Sequence, residues 1–245
     1  MKRALSRVGI RITRSSSFRN SLSVSENREY AYSDVFPSAS YSPWLSDREF
    51  QRILRIVADQ TLIDPYRLWE LWTLARYAES LEGDVLEVGV WRGGSAGVLG
   101  SRIKSTNKKL WLADTFAGVP KAGLLDNAYR GGEHADTDVE VVSRNLEALG
   151  ISNFEIIKGV FPDETGTRIR GPLSLVHVDV DVYQSAKDVF ETALPILCVG
   201  GVFVFDDYGF SECRGVTRFV NELRDAAGLL TIHNLNGHAV IVKTR

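Results

Sequence analysis

Short runs of β-branched and aliphatic residues alternate with helical patterns along the last two thirds of the chain. These runs cover residues 85–90, 109–113, 154–157, 173–182 and 201–205. Strands that are separated by helices are typical of a parallel sheet with helices on both faces. The pattern therefore predicts an α/β fold built on a doubly wound, Rossmann-like sheet.

The end of the chain has a different pattern. Two apolar runs, residues 229–233 and 239–242, are joined by a short polar segment that ends in Asn236 and Gly237. An Asn-Gly pair between two such runs is a strong hairpin signal. We therefore expect a C-terminal antiparallel hairpin at one edge of the sheet.

Two helices are predicted before the first strand. Residues 46–49 read Ser-Asp-Arg-Glu, a capping-box pattern, and the apolar residues that follow have the spacing of one helix face. At the second helix, Asp64 can cap the N-terminus and Pro65 suits the first helical position. We expect a helical segment over residues 44–83, followed by a main domain over residues 84–245.

The first 43 residues form a basic, Ser-rich tail in this division. Lys2 and five arginines up to Arg19 precede the first acid, Glu26. Such a segment suits either a weak amphipathic helix on an anionic membrane surface or a solvated tail. An organellar transit peptide has a similar composition.

The composition excludes several classes of protein. With 44% hydrophobic and 24% charged residues the chain is globular, and a formal net charge of −2 gives no overall basic surface for nucleic acid. No run approaches the ~20 apolar residues of a membrane span, and the two cysteines lack a CxxC spacing. We expect a cytoplasmic protein, with a homodimer plausible by base rate.

A glycine-rich turn follows the first predicted strand. Residues 87–94 have the form ExGxxxGG, which matches neither a Walker A loop nor the GxGxxG dinucleotide motif. An acid at the end of the second strand is placed to bind ribose hydroxyls, and an acid within the first strand needs a cationic partner such as a ligand ammonium. These features favour a nucleoside without a pyrophosphate, and S-adenosylmethionine meets that description. The candidate cofactor-binding residues are Glu87, Gly89, Gly93, Ser95 and Asp114.

Carboxylates collect at the ends of two later strands. His177, Asp179 and Asp181 alternate with valines, and Asp206 and Asp207 follow the next strand. If the strands are neighbours, Asp179, Asp206 and Asp207 converge, and three carboxylates need a cation. Oxygen ligands favour Mg²⁺, and a metal there can bind substrate hydroxyls, with Asp181 as the candidate general base.

These motifs together resemble a known family, the macrocin O-methyltransferases. The members are class I S-adenosylmethionine-dependent enzymes that methylate sugar hydroxyls of macrolide and aminocoumarin antibiotics. The resemblance rests on DPYRL at 64–68, EVGVWRGGS at 87–95, ADTFAGVP at 113–120, DVDVY at 179–183, and DDYG at 206–209 with Cys213 and Arg214.

The resemblance implies a Mg²⁺-dependent transfer of a methyl group from S-adenosylmethionine to a hydroxyl. By position it implies Asp179, Asp206 and Asp207 as metal ligands and Asp181 as the base. It also places a mobile lid over residues 122–138. The acceptor implied is a small molecule, with a natural-product sugar, a polysaccharide unit and a nucleotide sugar all open.

Two other functions are compatible with parts of the sequence. A nicotinamide-dependent oxidoreductase could use Tyr183 and Lys187, which have the Tyr-x-x-x-Lys spacing of short-chain dehydrogenases. A non-catalytic cofactor-binding protein could dock on membranes through the basic tail. A protein that only binds a cofactor does not need five carboxyl groups at one edge of the sheet, so the methyltransferase hypothesis is favoured. The five groups are those of Glu87, Asp179, Asp181, Asp206 and Asp207.

Overall fold

The computed structural model describes Tyr30 and residues 39–245 of the chain. The arginines of the basic tail lie outside the described residues. The strands are β1 (Asp84–Val88), β2 (Leu110–Asp114), β3 (Phe154–Lys158), β4 (Leu173–Val178), β5 (Leu197–Phe205), β6 (Leu229–His233) and β7 (Ala239–Lys243). The helices are α1 (Arg48–Val57), α2 (Pro65–Ala78), α3 (Gly94–Ile103), α4 (Val139–Ala148), α5 (Tyr183–Ala193) and α6 (Arg214–Glu222), with short 3-10 turns at Pro43–Leu45, Gly166–Arg168 and Leu194–Ile196. In this part of the chain, no helix is long and apolar enough to cross a membrane.

All seven strands form one sheet in the order β3-β2-β1-β4-β5-β7-β6. Strands β1 to β5 are parallel, whereas β7 is antiparallel to β5 and to β6. The predictions of a doubly wound α/β sheet and a C-terminal antiparallel hairpin are therefore confirmed. The strand order reverses between β1 and β4, and in such sheets a crevice opens at this point above the carboxyl ends of the strands.

Strict alternation of side chains along the central strands divides the core into two layers. On one face, Val85, Leu175 and Val204 pack beneath the first four helices. On the other, Phe203 and Phe205 pack with α5 and α6. Because both faces are covered, β4 is buried along its whole length, as expected for a strand inside a parallel sheet.

Helix α3 approaches its neighbours unusually closely. A Cβ added at Gly97 would lie 2.8 Å from Leu149 and 3.1 Å from Val57, and one at Gly100 would lie 2.9 Å from Ile151. These small residues let α3 sit between the sheet and the N-terminal helices. Helices α1 and α2 consequently share one continuous apolar cluster with the sheet.

One of the two helix starts differs from the sequence prediction. The carboxylate of Asp64 accepts hydrogen bonds from the backbone N–H groups of Tyr66 and Arg67, as predicted. At α1, however, Asp47 is the cap and accepts from Phe50 N–H, whereas the Ser46 hydroxyl donates back to the Pro43 carbonyl. The capping-box prediction was wrong by one residue, because Ser46 caps the C-terminal end of the Pro43–Leu45 turn instead of the start of α1.

We expect Phe203→Ala to destabilise the fold by about 3–5 kcal/mol, the usual cost of removing a fully buried phenylalanine. The Phe203 ring is 0% exposed and packs on Phe190 and Phe205. Chemical denaturation would measure the change. Val199→Ala on the same strand, at a side chain that is 61% exposed, should change stability by less than about 0.5 kcal/mol. Equal losses in both variants would contradict this description of the core.

Candidate active site

A cavity of about 280 Å³ opens at the carboxyl ends of β1, β2, β4 and β5. Its wall contains the glycine turn after β1, the acid at the end of β2, and four aspartates that follow β4 and β5. The cavity therefore lies at the topological switch point, where open α/β sheets bind ligands. Of the predicted residues, those that line it are Gly89, Ser95, Asp114, Asp179, Asp181, Asp206 and Asp207.

The glycine turn is shaped by close contacts between backbones. Gly89 has φ +86°, and a Cβ there would lie 1.7 Å from the Asp179 carbonyl oxygen. Gly93 has φ +83° and forms the N-cap of α3, outside the cavity lining. Gly94 N–H donates to the carbonyl of Gln60, 3.0 Å away, which brings the segment after α1 to the cavity wall. The turn and the strand that carries Asp179 are thus in direct contact.

Asp114 is the residue that holds the turn in place. Its Oδ2 accepts hydrogen bonds from the N–H groups of Val90 and Trp91 at 2.7 and 3.0 Å, and its Oδ1 accepts from Phe116 at 2.7 Å. A carboxylate offers about four lone-pair positions, so one remains for a ligand. The predicted ribose contact stays a prediction, and the structure adds a role in anchoring the backbone.

The structure places Glu87 behind the cavity. Its side chain is fully buried, and its Oε1 lies 2.7 Å from Nδ1 of His177. In the β1–β4 register Glu87 stands directly opposite His177, so the two side chains meet on one face of the sheet. One partner of this buried acid is therefore His177, whereas its Oε2 has no hydrogen-bond partner among the described residues, so the suggested contact with a ligand ammonium stays a prediction. His177 is 0% exposed and does not line the cavity.

The three predicted metal-ligating aspartates do converge. One carboxylate oxygen each of Asp179, Asp206 and Asp207 lies within 4.8 Å of the others. Burial, together with repulsion from the neighbouring carboxylates, raises the pKa of Asp179 and of Asp207 well above the usual range. Such groups resist becoming anionic together unless a cation joins them, and a set made only of oxygen atoms suits a hard cation such as Mg²⁺.

Asp181 lies beside this cluster and faces the same cavity. Burial raises its pKa, while the Tyr129 hydroxyl, which hydrogen-bonds to it, acts in the opposite direction. Asp181 and Asp207 have φ of +63° and +64°, a left-handed conformation that costs a non-glycine residue about 1–2 kcal/mol. Strain of this kind concentrates at functional sites, and both residues hold their carboxylates at the cavity.

A buried arginine neutralises part of this charge. Arg67 of α2 is ion-paired through its terminal nitrogen with Asp206 and through Nε with Asp64, the latter at 2.8 Å. Although burial lowers the pKa of Arg67, the charge of Asp206 and the hydrogen bonds to both acids raise it further. The guanidinium also stacks on Phe210, 4.9 Å from the ring centre. Arg67 therefore stays charged at the cavity wall.

The segment over residues 122–138, which the resemblance implies to be a lid, closes one side of the cavity. Tyr129 and His134 line the cavity. Asp136 accepts hydrogen bonds from the Trp91 indole at 2.8 Å and from Arg92 at 2.6 Å. The segment is thus fastened to the glycine turn by an exposed ion pair.

Sequence reasoning missed two residues of the site. Arg67 stands within the DPYRL block without a predicted role, and its contact with Asp206 spans 139 positions of sequence. Tyr129 lies in an irregular segment where no periodicity marks it.

The Tyr183 and Lys187 pair is outside the cavity. The Tyr183 hydroxyl donates to Glu222 at 2.8 Å, and Lys187 lies 3.8 Å from Glu191. The dehydrogenase reading therefore has no support in the site.

The sheet order, the glycine turn after β1 and the acid after β2 define the class I S-adenosylmethionine-dependent methyltransferase fold. Residues 57–243 match the model of the family described as Macrocin-O-methyltransferase (TylF), and the chain belongs to that family. The resemblance drawn from the motifs is confirmed.

Two curated relatives are similar over part of their length. The 8-demethyl-8-(2,3-dimethoxy-alpha-L-rhamnosyl)-tetracenomycin-C 4'-O-methyltransferase of Streptomyces olivaceus is 32% identical over 149 residues, which are 56% of this chain and 57% of the relative. The mycinamicin III 3''-O-methyltransferase of Micromonospora griseorubida is 32% identical over 165 residues, which are 62% of this chain and 64% of the relative. The chain thus spans 57% and 64% of the length of these relatives.

Solved structures give the same fold. The O-methyltransferase NovP is similar with a TM-score of 0.66 and 25% identity, over 76% of this chain and 83% of that chain. A calicheamicin methyltransferase is similar with a TM-score of 0.64 and 17% identity, over 78% of this chain and 90% of that one. The second likeness concerns the fold alone.

We expect Gly89→Ala to destabilise the protein more than Gly132→Ala does. Both glycines have positive φ, of +86° and +92°, but a Cβ at Gly132 meets nothing within 4 Å. The control therefore measures the backbone strain alone, about 1–2 kcal/mol, and Gly89→Ala adds the collision with the Asp179 carbonyl. Denaturant unfolding of both variants would measure the difference. Equal losses in the free energy of unfolding would mean that the backbone near Gly89 moves to accommodate the Cβ without further strain.

Proposed function

We propose that this protein is an S-adenosylmethionine-dependent and Mg²⁺-dependent O-methyltransferase that acts on a sugar hydroxyl of a glycosylated small molecule. The observation that carries the proposal is the group of four aspartates at one wall of the cavity, directly against the glycine turn. A nucleoside pocket that shares a wall with an oxygen-rich cation site would bring the methyl donor next to a metal-bound sugar hydroxyl.

The first part of the proposal concerns the methyl donor. The turn that begins at Gly89 lines the cavity, and Asp114 keeps one lone-pair position for a ligand. Ser95 faces the cavity at the start of α3. S-adenosylmethionine supplies, when bound, an electrophilic methyl carbon, so the protein has mainly to align the acceptor oxygen. Proximity of this kind contributes about 7–11 kcal/mol to catalysis.

The second part concerns the metal. Asp179, Asp206 and Asp207 would hold Mg²⁺ because their convergent, buried carboxylates need a cation and provide only oxygen atoms. Mg²⁺ bound there would polarise a coordinated hydroxyl and lower its pKa. Arg67 holds Asp206 from behind and restricts the direction in which that carboxylate points.

The third part concerns the proton. Asp181 lies among the cavity residues, and its neighbour Tyr129 fixes the orientation of its carboxyl group. We assign Asp181 as the base that accepts the hydroxyl proton. A positioned base typically contributes about 10²- to 10⁴-fold in rate.

The acceptor class is inferred from the relatives and from the mouth of the cavity. The relatives are named for glycosylated tetracenomycin and for mycinamicin III. In this chain two exposed apolar side chains, Leu62 at 69% and Phe210 at 38%, border the cavity. A sugar that carries an apolar aglycone would place its hydroxyl at the aspartates and its apolar part against these two side chains.

The proposal is tested first by binding. S-adenosylmethionine at ~100 times its dissociation constant should stabilise the protein by about 2.7 kcal/mol, seen as a higher unfolding midpoint, whereas NAD at the same concentration should have no effect. Formation of S-adenosylhomocysteine with a panel of glycosides then tests turnover, and chelation followed by Mg²⁺ tests the metal. A stabilisation by NAD alone would overturn the proposal.

Asp181→Asn should lower kcat by about 10²- to 10⁴-fold while the dissociation constant of S-adenosylmethionine stays nearly unchanged. Single-turnover assays and calorimetry would measure the two effects separately. Asp225→Asn, at an exposed position after α6, is the matched control and should retain full activity. A variant at Asp181 with near-normal kcat would show that another group takes the proton.

A further inference from the structure

Two buried histidines lie beneath α2, on the face of the sheet behind the cavity. His177 belongs to β4, and His238 precedes β7. Both are 0% exposed, and their ring centres are 6.1 Å apart in an edge-on arrangement. The register explains this meeting, because His177 pairs with Val204 of β5, which in turn pairs with Val240 of β7.

Each ring has one nitrogen fixed by a carboxylate. Nδ1 of His177 lies 2.7 Å from Oε1 of Glu87, and Nδ1 of His238 lies 2.7 Å from Oε2 of Glu70. The amide of Asn236 donates to the same Glu70 oxygen at 3.2 Å. A carboxylate can only accept, so Nδ1 carries the proton in each neutral ring, and Nε2 presents a lone pair.

The Nε2 atoms of both rings are buried without a hydrogen-bond partner among the described residues. Leaving a buried polar atom unsatisfied in this way destabilises the folded protein. The acid that these atoms approach is Asp206, whose Oδ1 lies 3.5 Å from Nε2 of His238. One nitrogen of each ring and one carboxylate oxygen of Asp206 lie within 4.8 Å of one another.

We propose that His177, His238 and Asp206 form a Zn²⁺ site that adjoins the all-oxygen cluster in the cavity and shares Asp206 with it. Two imidazoles and one carboxylate are a common ligand set for zinc, with a tetrahedral spacing of about 3.3 Å between ligand atoms. The 3.5 Å between His238 and Asp206 is already close to that value. Metal-bound histidines almost always donate their other N–H to a carboxylate, a backbone carbonyl or water, and Glu87 and Glu70 are such acceptors.

The excess of acidic side chains around this site favours the binding of Zn²⁺ in addition to the Mg²⁺ proposed for the cavity. Arg67 and the Asp207 N–H already donate to Oδ1 of Asp206. Because these two donors use both lone pairs of that oxygen, zinc binding there requires one of them to move away. Arg67 is a single positive charge beside a larger set of buried or half-buried acids. These acids are Glu70, Glu87, Asp179, Asp181, Asp206 and Asp207. The zinc site would hold Asp206 in place from behind the cavity and does not depend on methyl transfer.

The site can be tested on the purified full chain without any substrate. After chelation and dialysis, the protein is titrated with Co²⁺ as a spectroscopic probe and with Zn²⁺ in a calorimeter. With excess Mg²⁺ present to fill the all-oxygen cluster, the site predicts one equivalent of Zn²⁺ and the intense visible absorption of four-coordinate Co²⁺. Wild-type protein that binds neither ion, or that gives only the weak spectrum of octahedral Co²⁺, would overturn the proposal whatever the variants do.

Variants assign the ligands. His177→Gln and His238→Gln should each abolish the Co²⁺ band, and Glu70→Gln should weaken Zn²⁺ binding by about 10- to 100-fold, as mutations of outer-shell partners do. His233→Gln is the matched control, since His233 lies on the same hairpin but contacts the Tyr208 hydroxyl. Asp179→Asn should also keep the band, because it alters only the all-oxygen cluster. Circular dichroism of each variant checks folding, and a band that survives in His177→Gln and His238→Gln would contradict the assignment.

Discussion

The structure depends on the burial of several carboxylates at one edge of the sheet. Asp206 is the most constrained of them, because it is 2% exposed and ion-paired with Arg67. Removing one partner of such a pair typically costs about 3–5 kcal/mol, since the other charge stays buried. Helix α2 must therefore dock where Arg67 reaches Asp206. This single requirement ties the N-terminal helices to the edge of the sheet that carries the aspartates.

The same edge joins the two halves of the proposed reaction. Gly89 lies against the carbonyl of Asp179, so the turn that would receive the nucleoside and the strand that would hold the metal cannot move independently. Asp114 fixes the turn by accepting backbone N–H groups. Rigid supports of this kind keep reacting groups within the small tolerances that catalysis requires. The strained backbone at Asp181 and Asp207 is consistent with that demand.

The polar groups behind the cavity form a layer that the sheet register creates. Glu87 faces His177 across β1 and β4, and the hairpin brings His238 toward Asp206. Glu70 of α2, one turn after Arg67, closes the layer through His238 and Asn236. Helix α2 thus contacts Asp206 directly through Arg67. It also contacts His238 through Glu70, and His238 in turn lies near Asp206. The closing hairpin therefore does more than form an edge of the sheet, because it carries His238 to within 3.5 Å of Asp206.

The sequence by itself determined the class of fold, since the alternation of strands and helices and the Asn-Gly hairpin signal are local patterns. It also predicted that Asp179, Asp206 and Asp207 converge if their strands are neighbours, and the strand order of the folded sheet met that condition. Only the tertiary structure decided that Glu87 pairs with His177 and that Arg67 pairs with Asp206. These contacts join residues 90 and 139 positions apart, and their geometry depends on strand order, register and helix docking. No periodicity along the chain records those three quantities.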